Sequence, residues 1–458
     1  MSSAHQLVER SLAAIWHPCT QMQRHLHPDP ARRIPLLPVA RAEGPWLFDP
    51  DGNRYFDAFS SWWTTLFGHC HSHIVAAVRE QIATLDHVLL AGCTHAPAVE
   101  LAERLAAKTD GTLGHAFFAS DGASAVEIAL KLAAHYWRNQ GFPEKHRFVA
   151  FAGGYHGETV GALAVTDIPI FREAYEPLIR PAAMMPSPDT RRGPNAAHEA
   201  LAALLEYLAV HHAETAAVIV EPLVQGAGGM AMHPPSFLNA LRDLCTRHDV
   251  LLIFDEIAVG CGRTGRFFAH EHAGVRPDLL TLSKGITGGT LPLAVVLARD
   301  ELFRAFLADE VTRAFLHSHS YTGNPLACRA ACATLDLLDN PEVWPQIETL
   351  GAAFEAAMAQ VAAQVGGVHL RRTGTIVAFD LPDAPGDFAP RVAKAALAAG
   401  LLLRPLGNTC YVMPPFATPP ELAEWFGTQL LRTLTQVLET AAASDCFQPE
   451  HPQEPPLP

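Results

Sequence analysis

An excess of basic residues, long apolar runs and a regular set of cysteines are all missing from this 458-residue chain. Lys and Arg number 33 against 47 Asp and Glu, a formal net charge of −14, so we expect neither a nucleic-acid surface nor an anionic-membrane surface. No run of 18 apolar residues occurs, which predicts no transmembrane helix. The N-terminus lacks a basic start followed by an apolar stretch, so we expect no signal peptide.

The nine cysteines are scattered and odd in number. This argues against a disulfide framework and favours a reducing compartment, which we take to be the cytoplasm. Cys328 and Cys332 share one face of a predicted helix, where we expect buried packing, because two ligands do not complete a zinc site. The alternating histidines of GHCHSH (68–73) have no acidic or cysteine partner at ligand spacing, so we predict no metal.

What the sequence does contain is an alternation of short apolar runs and longer helical patterns from about residue 75 to 325. A strand that is covered on both faces has such a run, and the alternation predicts a doubly wound α/β domain with a mainly parallel sheet. The runs occupy 115–120, 146–151, 216–222, 250–256, 278–283 and 291–298, and the clearest helices occupy 124–140 and 235–249.

The two ends of the chain have a different pattern. Two apolar runs around Asp51-Gly52-Asn53 predict a hairpin near the N-terminus. Helical spacing after 323, followed by short strands and helices to about 442, predicts a smaller α+β domain built from both chain ends. We therefore expect an N-terminal segment (1–74), a large domain (75–325), a C-terminal small domain (326–442) and a Pro-rich, disordered tail (443–458).

The stretch TLSKGITGG (281–289) places Lys284 after an apolar run and among glycines. A surface loop would explain an average lysine here. The functional alternative is an amine whose pKa, about 10.4 when unperturbed, is lowered by burial until it can act as a nucleophile. Gly285, Gly288 and Gly289 would then allow a flat ligand to approach the backbone.

Two further stretches offer partners for this lysine. Asp255 ends the apolar run LLIFD, and ligands of parallel sheets lie beyond the carboxyl ends of strands; a simple capping Asp is the alternative. In FFASDGASAVE, Gly122 and Ala123 open a helix whose Ser124 and Glu127 have capping-box spacing. Such a start can bind phosphate, although many ordinary helices begin this way. Together the three stretches describe a pyridoxal 5′-phosphate site.

Four longer motifs carry a resemblance that covers nearly the whole chain: FDEIAVGCGRTGRFFAHEHAGVRPDLLTLSKGITGG, VIVEPLVQGAGG, GGYHGET and YTGNPLAC. The chain resembles the class III (subgroup II) pyridoxal-phosphate aminotransferases. This implies the type I fold of pyridoxal-phosphate transferases and a homodimer with active sites at the subunit interface.

A narrower resemblance, to the members of that family that act in biotin biosynthesis, is carried by IWHPCTQM (15–22), SSWWTTLFGHCH (60–71) and LLLRPLGNTCYVMPP (401–415). It implies transamination of 8-amino-7-oxononanoate to 7,8-diaminononanoate, with S-adenosylmethionine as amino donor.

The resemblance also implies roles for residues around the cofactor. Lys284 would link to pyridoxal phosphate, Asp255 would bind its ring nitrogen, and Tyr155 would stack on the ring and face the substrate, so these three are the candidate catalytic residues. Gly122 and Ala123 would bind the phosphate through their amides. The remaining candidate cofactor ligands are His319 and Ser320, of which Ser320 would reach the phosphate in the neighbouring subunit.

For the substrate, the resemblance implies that Trp62 and Trp63 line the pocket of the seven-carbon chain and that Arg404 clamps its carboxylate. Tyr411 is expected at the pocket edge, and Ser318 completes the candidate substrate residues together with Tyr155 and Lys284.

Several departures leave the donor open. Cys19 stands where the family pattern has Tyr and cannot stack on adenine as a ring does, so lysine is an alternative donor. Glu158 replaces an Asp of the pattern, and HSHS (317–320) replaces an HGPT-like run. A class III enzyme for ω-amino acids or diamines, of the ornithine or β-alanine type, and a non-catalytic relative that binds the cofactor remain alternatives.

Overall fold

The computed structural model describes residues 3–29 and 32–445. Near the N-terminus, the strands Trp46–Phe48 and Arg54–Asp57 pair in antiparallel register around Gly52, whose φ is +90°, so the predicted hairpin is confirmed. The first elements of the chain are α1 (Ser3–Ala14), β1 (Arg41–Glu43), β2 (Trp46–Phe48), β3 (Arg54–Asp57), α2 (Ser60–Trp63), α3 (Ser72–Thr84) and α4 (Ala96–Lys108).

The centre of the chain forms a seven-stranded sheet and a separate two-stranded ribbon. In chain order, the first four sheet strands are β4 (His115–Ala119), β5 (Arg147–Phe151), β6 (Ala183–Met185) and β7 (Thr215–Val220). The ribbon strands β8 (Val224–Gln225) and β9 (Ala231–Met232) come next. The last three sheet strands are β10 (Leu251–Asp255), β11 (Leu279–Leu282) and β12 (Ala294–Ala298). The sheet order is β4-β12-β11-β10-β7-β5-β6, and its pairs are parallel except those made by β12. All six predicted runs are strands. The edge strand β6 was missed, because its three residues include no β-branched side chain.

Helices cover both faces of this sheet. On β7, Val218 and Val220 belong to a buried cluster that includes Leu204 and Leu241, whereas Ala217 and Ile219 belong to the opposite cluster. This alternation from Ala217 to Val220 follows from the two-residue period of a strand, and the two clusters confirm the doubly wound arrangement. The helices are α5 (Gly122–Asn139), α6 (Val160–Val165), α7 (Pro169–Arg172), α8 (Ala196–His211), α9 (Pro235–Arg247) and α10 (Asp300–Arg304).

A smaller unit combines both ends of the chain, since the short strand Leu401–Leu402 pairs in parallel with β3. Its core includes Phe56 from β3 together with Phe354 and Phe426 from later helices. The C-terminal elements are α11 (Pro325–Leu338), α12 (Val343–Val365), β13 (Val368–Thr373), β14 (Ile376–Asp380), α13 (Phe388–Ala398), β15 (Leu401–Leu402), β16 (Thr409–Val412) and α14 (Leu422–Asp445).

Two expected boundaries differ from the structure. Helix α11 packs on α3 and α4, and its Cys328 and Cys332 are buried in the large core, so a small domain that begins at 326 begins too early. Helix α14 continues to Asp445, into the segment predicted as a tail from 443, while 446–458 lie outside the described residues. Within the described part of the chain, no helix has the length and apolar character needed to span a membrane.

An ion cluster joins the small unit to the large domain. Asp380, at the end of β14, accepts from Arg371 Nη2 at 2.9 Å and from Arg191 Nη1 at 3.3 Å. The same two guanidinium groups donate to the carbonyl oxygens of Gly228 and Gly229. Asp380 is 6% exposed, so it compensates two arginine charges that are largely withdrawn from water.

We therefore predict that Asp380→Ala lowers the free energy of unfolding by about 3 kcal/mol, because it leaves Arg371 without its carboxylate partner and removes one of the two carboxylates that pair with Arg191. Chemical denaturation of the purified protein measures this. The matched control is Glu43→Ala, which removes an exposed partner of Arg41 and should leave stability unchanged. Equal effects of the two substitutions would contradict this account of the cluster.

Candidate active site

Asp255 and Lys284 meet in one cleft at the carboxyl edge of the central sheet. Asp255 is the last residue of β10 and lies opposite Thr281 of β11, and Lys284 follows β11 after one intervening residue. The cleft has a volume of about 330 Å³. It is lined by the start of α5, the loop after β5, and residues that follow β7, β10 and β11. Parallel strands therefore deliver both side chains to the same place.

Asp255 is buried and held by three hydrogen bonds. Its Oδ2 lies 2.7 Å from His156 Nδ1, and its Oδ1 accepts from Thr281 Oγ1 and the Ile257 amide, each at 3.1 Å. These contacts fix the orientation of the carboxylate. His156 was not predicted as a site residue, although it stands in the GGYHG motif directly after Tyr155.

The Lys284 ammonium has the environment expected of a functional amine. Burial lowers the pKa of Lys284, and the carboxylates of Asp255 and Glu221 oppose that shift. Its Nζ lies 4.7 Å from the centre of the Trp63 ring. Lys284 also has a φ of +39°, an uncommon conformation for a residue with a side chain, at the start of a 3₁₀ turn.

The glycines after Lys284 do not serve the purpose that we expected. A Cβ on Gly285 would lie 3.0 Å from the Leu66 side chain, and one on Gly289 would lie 2.7 Å from Thr65 Cα. A Cβ on Gly288 would meet Ile74 at 2.6 Å. The glycines therefore admit protein from residues 64–66 and α3, and the prediction that they admit a flat ligand is wrong.

The start of α5 presents Gly122 and Ala123 to the cleft, but its cap differs from the prediction. Asp121 is the N-cap: its Oδ1 accepts from the Ser124 amide at 2.9 Å, and its Oδ2 accepts from Ser124 Oγ. Glu127 instead accepts from the amide of Gly161, so the predicted capping box is wrong. The amides of the first helical residues have no intrahelical acceptor and are available to an anion.

Tyr155 and Glu221 also line the cleft. The Tyr155 hydroxyl donates to Glu158 at 2.9 Å, and burial raises its pKa well above the ordinary value. Glu221, 4% exposed, accepts from the amides of Tyr155 and Gly226 at 2.9 and 3.0 Å. Burial raises the pKa of Glu221 to about 7. Glu221 was not predicted as a site residue, although it ends an apolar run just as Asp255 does.

The side chains of Trp62 and Trp63 have different surroundings. Trp63 is buried and donates from Nε1 to the Tyr411 hydroxyl at 3.1 Å. Trp62 is 40% exposed and lies 4.2 Å beneath the Arg404 guanidinium, which also donates to the Cys19 carbonyl. Tyr411 is 4% exposed behind Trp63, and its expected place at the pocket edge stays a prediction.

Ser318, His319 and Ser320 do not line this cleft. Ser318 and Ser320 are exposed, and His319 Nε2 lies 3.2 Å from His317 Nε2. The single chain therefore does not bring these candidates to Lys284, and the expected contact of Ser320 with a neighbouring subunit stays a prediction.

The raised pKa of Glu221 predicts a free energy of unfolding that depends on pH. Between about pH 4.5 and 7 the unfolded state is ionised while the folded state keeps its proton, so stability falls as pH rises, by roughly 3 kcal/mol in total. In the protein without added cofactor, the free energy of unfolding of wild type relative to Glu221→Gln should fall across this range. Denaturation at several pH values measures it, with exposed Glu43→Gln as control. A difference that does not change with pH would contradict the prediction.

Comparison with known proteins gives one consistent result. The family model described as Aminotransferase class-III matches residues 28–434. The adenosylmethionine-8-amino-7-oxononanoate aminotransferase of Helicobacter pylori is 40% identical over 424 residues, which cover 91% of this chain and 94% of that protein. The crystal structure of the enzyme of that name from Methanocaldococcus jannaschii matches with a TM-score of 0.88 at 32% identity, covering 94% of this chain and 99% of that one.

A further match is an amine transaminase from an uncultivated Pseudomonas species, solved in a PLP-bound form. Its TM-score is 0.86 at 29% identity, covering 93% of this chain and 99% of that one. These likenesses confirm the predicted type I fold. The chain belongs to the class III aminotransferases, the family of pyridoxal-phosphate enzymes that its motifs indicated.

Proposed function

We propose that this chain transfers an amino group to 8-amino-7-oxononanoate, giving 7,8-diaminononanoate in biotin biosynthesis, with pyridoxal phosphate as cofactor. The observation that carries the proposal is the convergence of Asp255, Lys284 and the start of α5 in one cleft. The names of the relatives with 40% and 32% identity support the choice of substrate.

The cleft residues fit this cofactor. An amine with a lowered pKa (Lys284) suits an aldehyde, a fixed carboxylate (Asp255) suits a protonated ring nitrogen, and the amides of Gly122 and Ala123 suit a phosphate. Gly157 allows its loop to approach this helix start, because a Cβ there would lie 2.5 Å from Ala123 Cβ. When bound, pyridoxal phosphate supplies an electron sink for the carbanion formed beside the amine nitrogen.

The protein's own groups then handle orientation and protons. Asp255, held by His156, Thr281 and the Ile257 amide, keeps the ring nitrogen protonated. Lys284 Nζ would take the proton from the donor carbon as general base and deliver it to the cofactor carbon as general acid, and its lowered pKa favours the role of base. Tyr155 forms the wall that faces the substrate.

The substrate carboxylate would bind at the outer end of the site. Arg404 is a planar donor that can bind a carboxylate with two parallel hydrogen bonds, and Trp62 beneath it offers an apolar surface for the carbon chain. The donor is S-adenosylmethionine or lysine. Cys19, whose carbonyl accepts from Arg404, places a small side chain where adenine stacking would need a ring.

We further propose that the enzyme is a cytoplasmic homodimer in which Ser320 reaches the cofactor phosphate of the partner. Large apolar side chains are exposed around this segment: Leu316 at 75%, Tyr321 at 63% and Leu89 at 53%. His87 and Tyr321 are 4.8 Å apart between ring centres, so the two segments form one surface. Exposed apolar surface of this kind is typical of an interface.

The decisive assay supplies the oxononanoate with S-adenosylmethionine or lysine in separate reactions and measures diaminononanoate by mass spectrometry. We expect product with one of the two donors, and none from Lys284→Ala, which should also lose the visible absorption of the bound cofactor. The absence of product with either donor, from a protein that binds the cofactor, would contradict the proposed substrate.

Arg404→Ala should raise KM for the keto acid by about 30-fold with a smaller effect on kcat, because a charge-assisted carboxylate contact contributes about 2 kcal/mol. Steady-state kinetics at saturating donor measures this. Arg391→Ala, which removes a partly exposed arginine paired with Asp387 on α13, is the matched control and should leave KM unchanged. An unchanged KM in Arg404→Ala would rule out the carboxylate clamp.

A further inference from the structure

The segment Ser60–Trp63 is a left-handed helical turn made of residues that all carry side chains. Their φ values are +52°, +45°, +69° and +70°. The Trp63 amide donates to the Phe59 carbonyl and the Thr64 amide donates to the Ser60 carbonyl, each at 2.9 Å, as in one turn of helix. L-residues enter this region singly, because their Cβ crowds the next carbonyl. A run of four is strained and persists only where its surroundings enforce it.

Asp57 holds the beginning of this turn. Its carboxylate is fully buried at the end of β3, where Oδ1 accepts from the Ser61 amide at 2.9 Å and Oδ2 accepts from Ser61 Oγ at 2.6 Å. His69 Nε2 lies 2.9 Å from Oδ2 and fixes the carboxylate from the other side. Ser60 Oγ donates to the Met413 carbonyl at 2.7 Å. Met413 directly follows β16, so this bond ties the turn to the end of that strand.

The end of the turn is held on two sides. Arg263, 1% exposed, donates to the carbonyl oxygens of Trp63 and Thr65, and burial lowers its pKa to about 9. On the other side, Gly289 leaves room for the backbone of Thr65, which a Cβ would approach to 2.7 Å. The turn therefore rests directly on the loop that begins with Lys284.

This arrangement determines where two rings of the site stand. Within the turn, Trp63 lies 4.7 Å from Lys284 Nζ, and the next residue outward, Trp62, lies 4.2 Å from the Arg404 guanidinium. A right-handed path for the same residues would direct the two side chains elsewhere, because the hand of the turn sets the direction of each Cα–Cβ bond.

We propose that Asp57 is a positioning residue for the substrate: its carboxylate keeps Ser60–Trp63 left-handed and so holds Trp62 and Trp63 at the two ends of the pocket. The inference rests on the proposed function, in which those rings contact the keto acid. Asp57 does not line the cleft, so it would affect substrate affinity only by fixing the backbone conformation of the turn.

Substitutions at Ser61 separate backbone strain from the lost hydroxyl. Ser61→Gly and Ser61→Ala both remove the contact of Oγ with Asp57, but only glycine adopts a positive φ without steric cost. Ser61→Gly should therefore unfold at a higher temperature than Ser61→Ala. Equal midpoints would show that the turn carries no strain and would overturn the proposal.

The kinetic test uses Asp57→Asn in the enzyme loaded with cofactor. We expect KM for the oxononanoate to rise by about tenfold with kcat changed less and the cofactor absorption retained. Adding Ser61→Gly should restore most of the lost affinity, and adding Ser61→Ala should not. Equal KM values for the two double variants, or an unchanged KM in Asp57→Asn, would overturn the proposal.

The proposal can still be tested if Asp57→Asn does not fold or if the proposed reaction is not observed. If Asp57→Asn fails to fold, Ser61→Gly and Ser61→Ala in the wild-type background carry the same comparison, and the glycine variant must have the lower KM. If wild type does not convert the oxononanoate, the proposed function fails, whereas the thermal comparison of the two Ser61 variants still decides whether the turn is strained.

Discussion

The site depends on the burial of one ammonium group beside two carboxylates at the carboxyl edge of a parallel sheet. Strands β7, β10 and β11 end side by side, and Glu221, Asp255 and Lys284, which lie at or just beyond those ends, share one cleft. Charges are expensive to withdraw from water, so each is held by fixed partners: amides for Glu221, and a histidine, a hydroxyl and an amide for Asp255. The result is an amine with a lowered pKa beside a fixed acid, which is the chemistry that a class III aminotransferase requires.

The close packing around Lys284 is made by other segments of the chain. The glycines that follow the lysine admit the backbone of residues 64–65 and the side chains of Leu66 and Ile74. That contact brings the left-handed turn Ser60–Trp63 against the lysine loop, and with it the ring of Trp63. The inner wall of the pocket is thus produced by contacts between segments more than 200 residues apart in the chain.

The fold was largely predictable from sequence because apolar runs are a direct consequence of strands buried on both faces. The same reasoning found Asp255 and Lys284, each just beyond such a run, and applied consistently it would have found Glu221. It failed where a local pattern had competing solutions: Asp121 lies closer to the helix start than Ser124 and takes the cap.

The remaining errors come from tertiary contacts that no local pattern contains. Nothing in SSWW predicts a left-handed turn, since it has no Gly or Asn, and the conformation depends on Asp57 and Arg263. The position of helix α11 in the large core likewise depends on α3 and α4, which precede it by more than 200 residues.

The most direct test of the central claim is chemical labelling of the lysine. The protein is incubated with pyridoxal phosphate, reduced with borohydride, digested, and mapped by mass spectrometry. The account predicts a pyridoxyl label on the peptide that contains Lys284, at one equivalent per chain, because this amine alone combines a lowered pKa with the acid and the helix start that bind the cofactor. A label that falls on another lysine, or no label above background, would contradict it.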